Sequence, residues 1–169
     1  MTSVEVPGIA RVLRAARFAC ARHADQGKQR QRRPVIDHVL EVAQLVGEAG
    51  LSVDVVVAAL LHDTVEKAAA EPLELEQRFG SRVRVLVDAV TDAPWESEDA
   101  IRLRLKAAPA EAQSIKCADI VSNLEALAGA DALTAKDLEE KAATLAVLVH
   151  AEPSLRDRAG RVIDRGVGE

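Results

Sequence analysis

Aromatic side chains are nearly missing: the 169 residues include two Phe, one Trp and no Tyr. A core without rings must be packed from Ala, Val, Leu and Ile. The abundant Ala, with Leu, Glu, Arg and Lys, favours helix because these side chains lose little rotamer freedom there. Cysteine is scarce as well. Cys20 and Cys117 stand far apart without a CxxC partner, which points to reduced thiols in a helical core rather than a disulfide. No apolar run reaches the roughly 18 residues that a transmembrane helix needs, so no membrane partner is expected. Met1 to Ile9 carry Glu5 and Pro7 and lack an apolar signal core, which makes the cytoplasm the expected compartment. Surplus positive charge is absent too. A net charge of −5 argues against sequence-independent binding of polymeric nucleic acid, which needs excess cation to displace counterions.

What is present is an ordinary globular composition, 49% hydrophobic and 29% charged, of a length that suits one domain over residues 1–169. Helical spacing recurs and strand-like alternation is hard to find, so the fold class expected is all-α. Between Ile9 and Ala24, the residues Ile9, Val12, Leu13, Ala16, Phe18, Ala19 and Cys20 suit one buried stripe. A basic connector from Gln26 to Arg33 follows, and Pro34 opens a second helix that stops near Gly47 to Gly50. Ser52 is the expected N-cap of the third helix. The run Val55 to Leu61 is apolar on every side and reads as a strand or a helix from composition alone. Its helical neighbours, and the continuation into His62-Asp63, favour a fully buried central helix. Further helices are expected over Pro72–Phe79, Ser81–Thr91, Ser97–Ala107, Ala110–Leu127, Thr134–His150 and Pro153–Ile163. An apolar stripe in Leu138–Val149 suits either internal packing or a homo-oligomer contact.

An adjacent His62 and Asp63 at the end of an apolar helix is unusual, because a buried charge is costly unless paired or bound to metal. A helix end reaching solvent accounts for that pair equally well. His38, one turn into the second helix, reads singly as a satisfied core histidine before it reads as a ligand. Lys116, Asp119 and Asn123 recur at i, i+3 and i+7, so they share one helix face. A solvated face produces the same stripe.

The order of these residues and their contexts resemble a known family. The sequence has His23 with Gln26, Pro34-Val35-Ile36-Asp37-His38, Ala59-Leu60-Leu61-His62-Asp63-Thr64-Val65-Glu66, Phe79-Gly80, and Lys116-Cys117-Ala118-Asp119-Ile120-Val121-Ser122-Asn123. This pattern resembles the HD domain superfamily, and more narrowly the Rel/Spo-type and stand-alone guanosine polyphosphate (ppGpp) pyrophosphohydrolases. The resemblance is strongest over Ala15 to Leu127, with C-terminal helices over residues 134–165. It implies an HD-domain helical bundle in which His38, His62, Asp63 and Asp119 hold one divalent metal. Mixed nitrogen and oxygen ligands with positions left for water suit Mn²⁺ better than a closed structural Zn²⁺. Such a metal lowers the pKa of water and polarises a phosphoryl oxygen, which is hydrolytic chemistry at phosphorus.

The implied activity is a metal-dependent phosphohydrolase acting on a small nucleotide phosphoester or pyrophosphate ester. Glu66 then positions water, Lys116 and Asn123 support the site or contact substrate, and Lys28 with Arg30 neutralises phosphate. The sequence departs from the pattern at three places: Lys67 replaces a second acidic residue, Ile120 an Arg, and Val35 a Tyr. Lys67 reads either as a phosphate-binding residue or as a solvated surface lysine. The basic run Lys28–Arg33 likewise reads as a phosphate-gathering loop or a solvated one. Lys67 and Ile120 motivate a second hypothesis, a catalytically weakened protein that senses metal or nucleotide. Trp95 reads either as a cap over the pocket or as a surface residue.

Overall fold

The computed structural model of the chain describes residues 7–26 and 33–167. Within them every regular element is helical: α1 (Gly8–His23), α2 (Val35–Glu48), α3 (Val53–Ala68), α4 (Pro72–Phe79), α5 (Ser81–Val90), α6 (Glu98–Ala107), α7 (Ala110–Gly129), α8 (Ala135–Val147) and α9 (Pro153–Val167). The fold is all-α, as composition and periodicity predict. None of the described helices is long and apolar enough to cross a membrane.

The ambiguous apolar run forms the middle of α3. It packs against α1, α2, α5 and α7, so no face is left for solvent, and Val57 through Thr64 are buried without interruption. A helix that is apolar all round has to be a central one. Its register fixes the site, because His62 and Asp63 are consecutive residues at the end of that buried stretch. α7 lies alongside α2 and α5 and backs onto α9, carrying Ile115, Ile120 and Leu124 into the same core. Burying each such side chain fully contributes about 1.5–3 kcal/mol.

Local chemistry sets the helix ends. Thr134 and Asp137 form a reciprocal capping box at the start of α8, and Ser97 accepts from the Ala100 amide at the start of α6. Ser52 precedes α3 in an extended conformation, but its side chain makes no capping bond. The C-terminus of α3 closes on Ala69 in the left-handed region, with φ of 51°, while the Ala70 amide donates to the Thr64 carbonyl.

Three expectations are corrected. α1 buries Ala15, Ala19 and His23, while Ile9 and Leu13 are 68% and 57% exposed. The reason is close approach: a Cβ on Gly8 would lie 3.0 Å from a Val53 methyl, so α1 sits against α3 on its smallest residues. Cys20, on the outer side of that interface, is exposed, and only Cys117 is a core thiol. Finally, α8 stops at Val147 and leaves His150 in the following turn. Gln113 and Ser114 of α7 cause the stop by accepting from the backbone amides of His150 and Glu152, at 2.9 and 2.8 Å.

Candidate metal centre

Four side chains from three helices meet where α2, the end of α3 and the middle of α7 converge. His38 comes from α2, His62 and Asp63 from α3, and Asp119 from α7. All four are buried, none more than 6% exposed. His38, His62 and Asp63 offer ligand atoms within 4.8 Å of one another. Asp119 adjoins them, its Oδ1 lying 3.2 Å from His38 Nε2 and 3.9 Å from His62 Nε2. Asp63 closes the other side, with Oδ1 3.4 Å from His62 Nε2 and Oδ2 3.8 Å from His38 Nε2. The two imidazole rings stand edge to face, with centroids 5.3 Å apart.

The outer nitrogens of both rings are hydrogen-bonded and the inner ones are not. His62 Nδ1 lies 2.7 Å from the Ala59 carbonyl, which can only accept, so Nδ1 carries the proton. His38 Nδ1 lies 2.9 Å from Ser122 Oγ. Both Nε2 atoms are buried without a hydrogen-bond partner among the described residues. Buried polar atoms are almost always satisfied, and two orphans facing two carboxylates call for an electrophile between them. The donor set therefore fits a divalent cation.

Lysines hold the carboxylates from outside. Lys67 donates to Asp63 Oδ2 at 2.8 Å, and Lys116 Nζ lies 3.4 Å from Asp119 Oδ2, with Asn123 Nδ2 donating to Oδ1 of the same carboxylate. Burial opposes the charge on Asp63, but His62 and Lys67 outweigh it and lower its pKa. Burial acts likewise on Asp119, where Lys116 and then His38 prevail and hold the carboxyl well below the usual range. Lys116 is itself raised above the ordinary lysine value, because Asp119, Asp92 and Glu66 outweigh its burial. Lys67 is raised in the same sense, chiefly by Asp63 against the cost of burial.

The remaining residues singled out from sequence fall around this centre. Glu66 is exposed, one turn beyond His62, and accepts from the Asp92 amide at 3.2 Å. His23, whose pKa burial lowers, reaches Gln26 at 2.8 Å, and Gln26 donates to the Lys67 carbonyl, tying the ends of α1 and α3 together. Lys28 and Arg30 lie outside the described residues. Ile120 and Val35 are core residues. Trp95 stands 85% exposed on the α5–α6 connector, whose base is clamped by Arg104 through Ala89 O, Asp92 and Glu96.

Asp92, Ser122 and Glu41 escape the sequence reading as site residues, and Arg33 enters it only as the end of the basic run Lys28–Arg33. Asp92 joins Glu66 to Lys116, with its Oδ2 3.6 Å from Lys116 Nζ. Ser122 Oγ donates to Glu41 at 2.6 Å, and Arg33 bonds both of them. Glu41 lies three residues after His38 and Ser122 three after Asp119, so their helical spacing was a usable signal.

Comparison with known proteins adds relatives. A family model of the HD domain matches residues 15–147. A guanosine-3′,5′-bis(diphosphate) 3′-pyrophosphohydrolase of Xenopus tropicalis is 38% identical over 123 residues, 69% of either chain. The human protein of the same name is 41% identical over 126 residues, 70% of either chain. A solved structure, described as a metazoan ortholog of SpoT that hydrolyses ppGpp, superposes with a TM-score of 0.81 at 24% identity. It covers 96% of this chain and 98% of its own.

Proposed function

Because the chain belongs to the HD domain family, we propose that it is a metal-dependent phosphohydrolase acting on a nucleotide pyrophosphate ester, with ppGpp the first candidate substrate. The observation that carries the reading is the pair of buried, unpartnered Nε2 atoms of His38 and His62 facing Asp63 and Asp119. We assign these four residues as ligands of one divalent ion, Mn²⁺ by the chemistry of the donor set. The ion supplies Lewis acidity at phosphorus.

The chain's own residues do the rest. Asp119 is oriented from both of its oxygens, by Asn123 on Oδ1 and Lys116 on Oδ2, so these two residues act by holding a ligand in place. Glu66 stands at the open edge of the site, where its carboxylate orients the attacking water and accepts its proton. That water forms the new P–O bond, and the ester oxygen leaves with a proton. Lys67 has one donor engaged by Asp63 and a side chain 34% exposed, which leaves its remaining N–H groups for substrate phosphate. Lys28 and Arg30, on the connector ahead of α2, are assigned the same role. We place the active unit in a single domain over residues 1–169 and in the cytoplasm.

The test is turnover of a nucleotide panel that includes ppGpp, by purified Mn²⁺-loaded protein, alongside His62→Ala. Activity in the wild type with loss of both metal and turnover in the variant is expected. Absence of turnover across the panel, with metal bound, favours the sensor reading instead, for which the Lys67–Asp63 ion pair is the supporting observation.

A further inference from the structure

Ser122 is fully buried, and three groups surround its hydroxyl. Arg33 Nη2 lies 2.7 Å from Oγ, Glu41 Oε2 2.6 Å and His38 Nδ1 2.9 Å. A serine hydroxyl has one proton to give and two lone pairs to accept with. The guanidinium can only donate. The carboxylate can only accept, and two oxygens 2.6 Å apart need a proton between them, which Ser122 alone can supply. Its proton is thereby committed to Glu41, and toward His38 only a lone pair is left. His38 Nδ1 must therefore be the donor, and the neutral imidazole then has no hydrogen on Nε2, the side that faces His62, Asp63 and Asp119. Arg33 holds the arrangement from outside, bonding Glu41 Oε2 at 2.6 Å and the Ser122 carbonyl at 3.0 Å. Its 3.3 Å approach to His38 Nδ1 is then a contact between two N–H groups, not a bond.

We propose that Glu41, acting through Ser122, is a positioning residue that fixes His38 in the Nδ1–H tautomer and keeps its Nε2 free to ligate a divalent cation. The metal half rests on the reading of the site given above; the tautomer half does not. The device differs from that at His62, where a backbone carbonyl does the same work and no side chain can disturb it. His38 is thus the one imidazole of the pair whose proton is placed by replaceable side chains.

The experiment compares wild type, Glu41→Gln, Glu41→Leu and Ser122→Ala as full-length chains. Circular dichroism establishes that each folds. Glu41 is 35% exposed, so its replacement leaves the core intact, and Ser122→Ala provides a second route should Glu41→Leu fail to fold. In metal-free protein, long-range ¹H–¹⁵N NMR reads which ring nitrogen of His38 bears the proton. The wild type is expected to show Nδ1–H. Glu41→Gln keeps an acceptor oxygen for Ser122 and should match it. In Glu41→Leu the released hydroxyl proton turns toward Nδ1, and the Nε2–H form should appear. Ser122→Ala, with Nδ1 unpaired, should show a mixture. Mn²⁺ titration of the same four proteins should show affinity lowered about 10- to 100-fold in the leucine and alanine variants only. An Nε2–H tautomer in the wild type, or unchanged tautomer and affinity in both of those variants, overturns the proposal. A wild type that shows Nδ1–H yet takes up no Mn²⁺ upholds the tautomer lock and sinks only the assignment of the metal.

Discussion

Lys67 is the side chain on which the chemistry of the centre turns. Its ammonium neutralises Asp63, a carboxylate that a dication would otherwise neutralise, and the two compete for the same charge. Replacing it with Asp places two carboxylates one helical turn apart. The metal-free protein should lose stability, read as a lower urea midpoint, while Mn²⁺ affinity rises about tenfold or more, since like charges there repel until a cation arrives. Turnover should rise as well if the missing carboxylate is what limits the reaction. Thiol chemistry offers a simpler check. Burial pushes the Cys117 thiol up to about 12, whereas Cys20 is exposed. A thiol reagent at pH 8 should titrate one cysteine in the native protein and both in denaturant. At this scale the sequence was informative about residue identity and poor about neighbours. The order His38, His62-Asp63, Asp119 singled out side chains that the fold does bring together. Contacts such as Ser122 to Glu41 or Asp92 to Lys116 join helices far apart in the chain, and no spacing rule encodes how those helices pack.

Among the elements, every helix expected from periodicity is present, and the errors lie at ends and faces. On α1 the expected stripe holds at Ala19 and fails at Ile9 and Leu13, because close approach to α3 favours small residues such as Ala15. The end of α8 falls short of His150 because what stops it is Gln113 and Ser114, side chains of another helix. The end of α3 carries a testable strain. Ala69 adopts a left-handed conformation that glycine occupies without steric cost, and the penalty for alanine is roughly 1–2 kcal/mol. Ala69→Gly relieves it, less the extra freedom glycine brings to the unfolded chain. A gain of about 0.5–1 kcal/mol in chemical denaturation is expected, and a loss of stability would show that the turn is not strained.

For the molecule as a whole, the buried charges of the centre set a pH window for stability. Asp63 and Asp119 have lowered pKa values, so what they contribute is present above the ordinary carboxylate value near 4 and is lost as pH falls through their folded values. Lys116 has a raised pKa, so its share is present below about 10.4 and is lost as pH rises through the folded value. Metal-free protein should therefore be most stable between those limits, and Asp119→Asn should flatten the acid side of the urea-midpoint profile. Mn²⁺ at 100 times its dissociation constant should add about 2.7 kcal/mol. One other trait bears on how such curves are recorded. With no tyrosine in the chain and its single tryptophan already in solvent, tryptophan emission comes from the α5–α6 connector alone. Unfolding should scarcely change that signal, so denaturation has to be followed by circular dichroism. Trp95 is three residues from Asp92, which ties Glu66 to Lys116, and a nucleotide arriving there should quench it. Such quenching would make Trp95 a built-in reporter of ligand arrival.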